Sequence, residues 1–161
     1  MSMQKIIQFK EKPLIFRKYS SSTDSEKLVQ TLFTKMNSKE GLNELKKSDQ
    51  EVFEQSNINF RLIAEYGNEL IATITLMKDR EFSSSKTVNV YSVVTSDPFQ
   101  GSGVSTLLFE YAIGWVRKLH GQRIKLTTNV TNIRAQRFFN KMGLNEESRT
   151  EELIYYQKQV L

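Results

Sequence analysis

Two glycines two residues apart, Gly101 and Gly103, sit in "DPFQGSGVSTLLFEYAIGWVRKLHG", between a β-like run and a run with helical apolar spacing. The chain of 161 residues has only 7 glycines, so the pair is a costly placement. A strand that enters a glycine turn and then a helix can hold an anion. The first N–H groups of a helix lack partners, the helix dipole turns its positive end toward them, and glycine lets the backbone come close. The sequence beside the turn is basic: residues 101–145 carry seven Lys or Arg against Glu110 alone, whereas residues 51–100 carry four against seven acidic residues. With a net charge of +5, this excess fits a phosphorylated small molecule, nucleic acid or a solvated face.

The letters narrow the choice. A Walker loop needs a lysine after its second glycine, and none is present; a Rossmann fingerprint needs a third glycine where Thr106 stands. Cysteine is absent, which excludes disulfides, thiolate metal sites and a covalent intermediate on cysteine. The single histidine, His120 in "KLHG", reads as a helix-end residue, and no metal is expected. Nucleic acid is not expected either, because the basic segment lacks a series of stacking aromatics or a recognition helix with one basic face. No apolar run is long enough to cross a bilayer, and "MSMQKIIQFKEKP" lacks the apolar core of a secretory signal. The expected setting is cytoplasmic, with a nuclear one also open.

The elements that must position the turn follow from periodicity. "LIFRKYS" reads as a strand, and "SSTDSEKLVQTLFTKM" as a helix with Thr23 or Asp24 near its cap and Leu28, Leu32, Phe33 and Met36 on one face. "SKEGLNELKKSDQEVFEQS" is a second helix, and "NFRLIAEYGNELIATITLMKD" is two alternating strands around a "YGNE" turn. "EFSSSK" reads as a polar loop and "TVNVYSVVT" as the next strand. Apolar residues at 104, 107, 108, 111, 112, 115 and 119 make a helix ended by Gly121. "RIKLTTNV" then returns parallel to "TVNVYSVVT". "NIRAQRFFNKMG" is a helix capped by Asn132 and stopped by Gly143; "LNEESR" and "ELIYYQKQV" are strands. The length and balance predict one domain over residues 14–161, preceded by an extension over residues 1–13.

Two segments carry a family resemblance. "QGSGVS", Gln100 to Ser105, resembles the pyrophosphate-binding signature Gln/Arg-x-x-Gly-x-Gly/Ala of the GNAT superfamily of acyl-CoA-dependent N-acetyltransferases. "NIRAQRFFNKMGL" resembles that family's second motif, Asn-x-x-Ala-x-x-Leu-Tyr-x-Lys-x-Gly-Phe. One helix and one strand separate the two, as in the family. The resemblance implies an α/β fold of the mixed-sheet kind: a mostly antiparallel twisted sheet with two splayed parallel strands and about four flanking helices. It implies acetyl-CoA as acyl donor, with no metal. The backbone of Gln100, Gly101, Ser102, Gly103, Val104 and Ser105 would cradle the pyrophosphate, and that of Val93, Val94 and Thr95 would pair with the pantetheine arm. Asn132, Ala135, Arg137, Phe138, Phe139 and Lys141 would line the cofactor from the second motif.

The chain departs from the pattern at two places. Ser105 stands where the family has Gly or Ala, a change expected to be tolerated. Phe139 aligns with the tyrosine that in many relatives protonates the leaving thiolate, and a phenyl ring cannot donate that proton. Tyr91, Tyr155 and Tyr156 are the available substitutes, and Asp97, Glu65 and Tyr91 are the candidates for the base that an attacking amine needs; Tyr91 and Asp97 are the two catalytic assignments. Without cysteine, transfer is expected to be direct, in a ternary complex. The acceptor is expected to be an amine, on a small molecule or on a peptide or protein, and the chain a monomer or homodimer. The alternative is a catalytically weak or inactive acyl-CoA-binding module, for which Phe139 is the sequence hint.

Overall fold

A computed structural model of the chain describes residues 3–54 and 57–160. Strands β1 (Lys5–Phe9) and β2 (Lys12–Lys18) precede helices α1 (Ser21–Thr31) and α2 (Lys39–Asp49). Then come β3 (Asn59–Tyr66), β4 (Glu69–Lys78), the single turn α3 (Phe82–Ser85), β5 (Thr87–Thr95) and α4 (Val104–Lys118). The order closes with β6 (Arg123–Asn129), α5 (Ile133–Lys141), β7 (Asn145–Arg149) and β8 (Leu153–Gln159). One sheet takes the strands in the order β1-β2-β3-β4-β5-β6-β8-β7, with β5 and β6 parallel. This is the mixed α/β fold that the sequence predicts; the additional helix is α3, in the segment read as a loop. The chain forms two compact units, Met1–Leu76 with Ser92–Ala112, and Met77–Tyr91 with Ile113–Leu161.

In the first unit, part of the stretch read as an extension is regular structure: β1 pairs antiparallel with β2 from Lys5↔Phe16 to Phe9↔Lys12. The β3–β4 turn is the predicted one, and Gly67 and Asn68 take φ of 56° and 68°, the pair of left-handed residues that a two-residue hairpin of this hand requires. These strands do not alternate between core and solvent. Asn59 to Ala64 and Leu70 to Leu76 are buried without interruption, the pattern of strands covered on both faces. Tyr19, Leu28, Val29, Leu45, Ile63 and Leu70 form one core, with the predicted Leu32, Phe33 and Met36 packed against it. On β2, Phe16 stacks on Tyr111 of α4 at 5.5 Å.

The start of α1 differs from the reading. Its N-cap is Ser20, and Asp24 lies inside the helix, buried. The Asp24 carboxylate accepts the Ser20 N–H at 2.8 Å and takes both Arg17 N–H arms at 2.7 and 2.8 Å. That hydrogen bond is the main reason the Arg17 guanidinium is held even more firmly protonated than usual. The N–H and hydroxyl of Ser21 both donate to Glu54, at 2.8 and 2.7 Å, so a carboxylate closes the positive end of α1. At the far end of α2, Asp49 accepts from the Tyr19 hydroxyl and from Arg61, each at 2.6 Å. The Arg61 guanidinium lies 4.5 to 5.2 Å from the ring centres of Tyr19, Phe33 and Phe53, which lets a buried cation rest among aromatic faces.

In the second unit, β6 runs beside β5 in parallel register from Thr87↔Arg123 to Asn89↔Lys125, and β8 pairs antiparallel with the whole of β6. Val88, Val116, Ile124, Ile154 and Val160 are sealed from solvent. The break after α4 works otherwise than predicted. The left-handed residue is His120, with φ 65°, while Gly121 is needed for space: a Cβ there would lie 2.6 Å from Val116 Cγ1 and 3.3 Å from Val88 Cγ2. At the end of α5 Gly143 is left-handed as expected, with φ 84°, and the Lys158 ammonium donates to the Met142 carbonyl at 2.8 Å.

The burial of α4 also corrects its predicted face. Val104, Leu108, Tyr111 and Ala112 are buried, but so are Phe109, Ile113 and Val116, whereas Leu107, Trp115 and Leu119 are only half-buried. The helix is covered over a wider arc than a single stripe, which apolar spacing alone does not reveal.

Candidate functional site

In the first unit β5 carries a break at Ser92, whose φ of 51° is left-handed, after which Val93, Val94 and Thr95 are half-buried. Ser96 N–H bonds the Ile71 carbonyl at 2.8 Å and fixes where the strand ends. A 3-10 turn follows, Asp97–Phe99, with Pro98 supplying the fixed φ of its start. Gln100 folds back over this turn: its side-chain amide donates to the Thr95 carbonyl and to Asp97 Oδ1, both at 3.2 Å. Thus two residues assigned to binding and catalysis, Gln100 and Asp97, bond each other in the turn.

Gly101 and Gly103 then take φ of 77° and 94°, where a side chain is strained, and a Cβ on either would meet no atom within 4 Å. Both glycines therefore hold an open, close-approach backbone surface rather than a packed corner. The first hydrogen bond of α4 is Leu107 N–H to the Gly103 carbonyl, at 3.1 Å. The N–H groups ahead of Leu107 have no carbonyl of their own helix, and Val104 N–H meets only the Ser102 hydroxyl, at 3.4 Å. Ser105, the departure from the family pattern, turns its hydroxyl to that of Thr95, 2.6 Å away. This bond ties the end of β5 to the first turn of α4. It was not foreseen, although hydroxyl residues at a strand end and at a helix start are its visible signal.

In the second unit Asn132 caps α5 as predicted, its side-chain oxygen accepting the Ala135 N–H at 3.0 Å. Arg137 and Lys141 are exposed and Phe138 is half-buried. Phe139 is a core residue, 6% exposed, its ring 5.7 Å from Phe138 on one side and 5.7 Å from Tyr156 on the other. Of the substitute tyrosines, Tyr156 is consumed in that packing, while Tyr91 and Tyr155 are 49% and 38% exposed.

Glu65, one of the candidate bases, lies in β3 and is ion-paired with Arg17 at 3.3 Å and Lys27 at 3.7 Å. Among the described residues no group of three or more His, Asp or Glu could hold a metal ion, and no helix is long and apolar enough to cross a membrane.

The signature of the acetyltransferase (GNAT) family matches residues 27–144, which is most of the chain and includes both the glycine turn and α5. The chain belongs to the GNAT family of acetyltransferases. Solved structures of the family share its fold. The spermidine N-acetyltransferase SpeG of Vibrio cholerae superposes with a TM-score of 0.75 at 17% identity, over 91% of this chain and 94% of that one. The PaiA N-acetyltransferase of Thermoplasma acidophilum, solved in complex with coenzyme A, gives 0.70 at 17% identity, over 91% and 98%. A GNAT acetyltransferase of Streptococcus pneumoniae gives 0.71 at 18% identity, over 91% and 98%. No curated protein sequence matches the chain. The GNAT family uses acetyl-CoA as acyl donor, and membership in it implies acyltransferase activity.

Proposed function

We propose that this GNAT acetyltransferase moves the acetyl group of acetyl-CoA directly to an amine in a ternary complex. The observation that carries the proposal is the glycine turn: two left-handed glycines with open space at both Cβ positions, opening a helix whose first N–H groups are free of helical partners. The turn from Gln100 to Ser105 holds the donor's diphosphate on the N–H groups that its own bonds, Gln100 to Asp97 and Ser102 to Phe99, leave available, and the backbone of Val93 to Thr95 pairs with its amide arm. In the second motif Asn132, with its oxygen spent on the cap, offers its amide N–H to the arm; Ala135, Phe138 and Phe139 shape the wall, and Arg137 and Lys141 supply positive charge.

The amine nitrogen attacks the thioester carbonyl, the C–S bond breaks, the amine's proton leaves to a base and the thiolate takes one up. Phe139 has no proton to give. Tyr91, half-exposed beside the left-handed Ser92, is the acid we assign. Asp97 is the assigned base, its second carboxylate oxygen remaining for a water or an amine. With no cysteine in the chain, no acetyl-cysteine forms.

A radiolabelled acetyl-CoA assay against a panel of small amines and peptides tests the proposal. Transfer to at least one amine is expected, with intersecting initial-rate lines; parallel lines would contradict the ternary complex. The burial of Phe139 favours one second reading, a binding module without turnover. Under it the chain binds acetyl-CoA, no amine is acetylated, and Phe139→Tyr gains nothing.

A further inference from the structure

Phe99 closes the turn that precedes Gly101, and its ring meets Tyr66, the last residue of β3, edge-on at 5.5 Å and 74°. Tyr66 in turn meets Phe9, the last residue of β1, edge-on at 5.9 Å and 85°, and its hydroxyl donates to the Phe9 carbonyl at 3.1 Å. Lys10 and Lys12 cover the outer faces, their ammonium groups 5.7 Å from the Phe9 ring and 5.6 Å from the Tyr66 ring. The three rings are half-buried and come from three separate stretches of chain.

Strand β1 lies at the edge of the sheet and has a strand neighbour, β2, on one side only. Lys5, Ile6 and Gln8 are exposed, so little of its own surface anchors it. The rings give its last residue a second attachment, and that attachment ends on the glycine turn. Edge-to-face pairs are directional: each ring fixes the tilt of the next. Removing Phe9 leaves Tyr66 without one wall, and Phe99 then rests on a ring that is free to turn. The bonds that shape the turn, Phe99 N–H to Ser96, Gln100 N–H to Asp97 and Ser102 N–H to Phe99, involve Phe99 itself and the residue next to it.

We propose that the Phe9–Tyr66–Phe99 stack makes β1 a positioning element of the glycine turn, so that a strand remote in sequence from both family motifs sets how well the donor's diphosphate is received. The second half of this statement rests on the proposed function; the first half does not. A turn whose N–H groups are already aimed loses less freedom on binding, and loosening it weakens the ligand.

The test uses the full chain with Phe9→Ala, Phe9→Tyr and the control Ile6→Ala, an exposed residue of the same strand. Amide hydrogen exchange of Phe99, Gln100 and Ser102 is measured without ligand, and acetyl-CoA affinity by calorimetry. Phe9→Ala should speed exchange at these amides and weaken acetyl-CoA by about threefold to tenfold, the range that one lost aromatic pair corresponds to. Exchange in α1 and β4 should stay unchanged, showing that the first unit remains folded. Phe9→Tyr should restore both readouts and Ile6→Ala should disturb neither. Unchanged turn exchange in Phe9→Ala overturns the proposal, as does an equal effect of Ile6→Ala. If the turn amides respond but the wild-type chain binds no acetyl-CoA, the positioning role stands and the proposed function falls.

Discussion

The hydroxyl oxygens of Thr95 and Ser105 lie 2.6 Å apart and join the last residue of β5 to the first turn of α4. Ser105 is therefore a substitution with a partner, and Gly or Ala at this position would leave Thr95 without it.

Replacing either hydroxyl should cost about 0.5–1.5 kcal/mol, the usual net worth of a hydrogen bond. Ser105→Ala and Thr95→Val should each lower stability in denaturant melts, and the double variant should lose less than their sum. In kinetics both should raise KM for acetyl-CoA more than they lower kcat. Full additivity would mean that the bond does not form in solution.

Gly103→Ala isolates backbone conformation from packing, because its Cβ would touch nothing within 4 Å while its φ stays at 94°. The expected loss of stability is about 1–2 kcal/mol, from the left-handed conformation alone. Under the proposed function acetyl-CoA affinity should fall further than that, since the methyl group would take space given to the diphosphate. Equal losses in the melt and in calorimetry would remove the glycine from the binding surface.

Gly121 presents the opposite case. A methyl group there meets Val116 Cγ1 at 2.6 Å, so Gly121→Ala should cost about 1–3 kcal/mol through overpacking. Val116→Ala opens room at that point. The double variant should be more stable than the sum of the single losses predicts, and melts of all three variants show whether it is.

Tyr19 gives the pH dependence a sign. Its phenol is pushed above its ordinary value of 10.0, first by burial and then by the bond to Asp49, while Arg61 acts weakly the other way. The folded chain therefore keeps a proton that the unfolded chain releases above pH 10. Its contribution to stability is whole below that value and declines as pH rises beyond it. In alkaline melts Tyr19→Phe should flatten this decline relative to the native chain; an unaltered slope would mean that the phenol ionises as freely folded as unfolded.

Much of this architecture is legible in the letters because local rules govern it. The "YGNE" turn, the Asn132 cap and the Gly143 stop each depend on a few neighbouring residues, and the Gly101 and Gly103 pair announces its own backbone. What stayed hidden depends on residues far apart in sequence. Glu65 stands in the letters as a candidate base, and its ion pairs with Arg17, 48 residues away, and with Lys27 appear only in the fold. Asp24 reads as a residue near the cap, and its bonds to Arg17 appear only in the fold. Gly121 looks like a helix stop, but a Cβ there would press on Val116 Cγ1 and also on Val88 Cγ2, on β5. Phe139 shows its missing hydroxyl in the sequence, yet only its packing against Tyr156 shows that the ring belongs to the core.

The closure of α1 by Glu54 bears on how this region opens. The Ser21–Glu54 bonds span 33 residues, and the Tyr19–Asp49 bond spans 30. The Ser21 N–H and hydroxyl at the start of α1 therefore lack this partner until the segment after α2 has arrived, and that segment follows directly on Asp49, which Arg61 on β3 holds. The two helices should melt out as one cooperative block, a single step in which both lose their protection together.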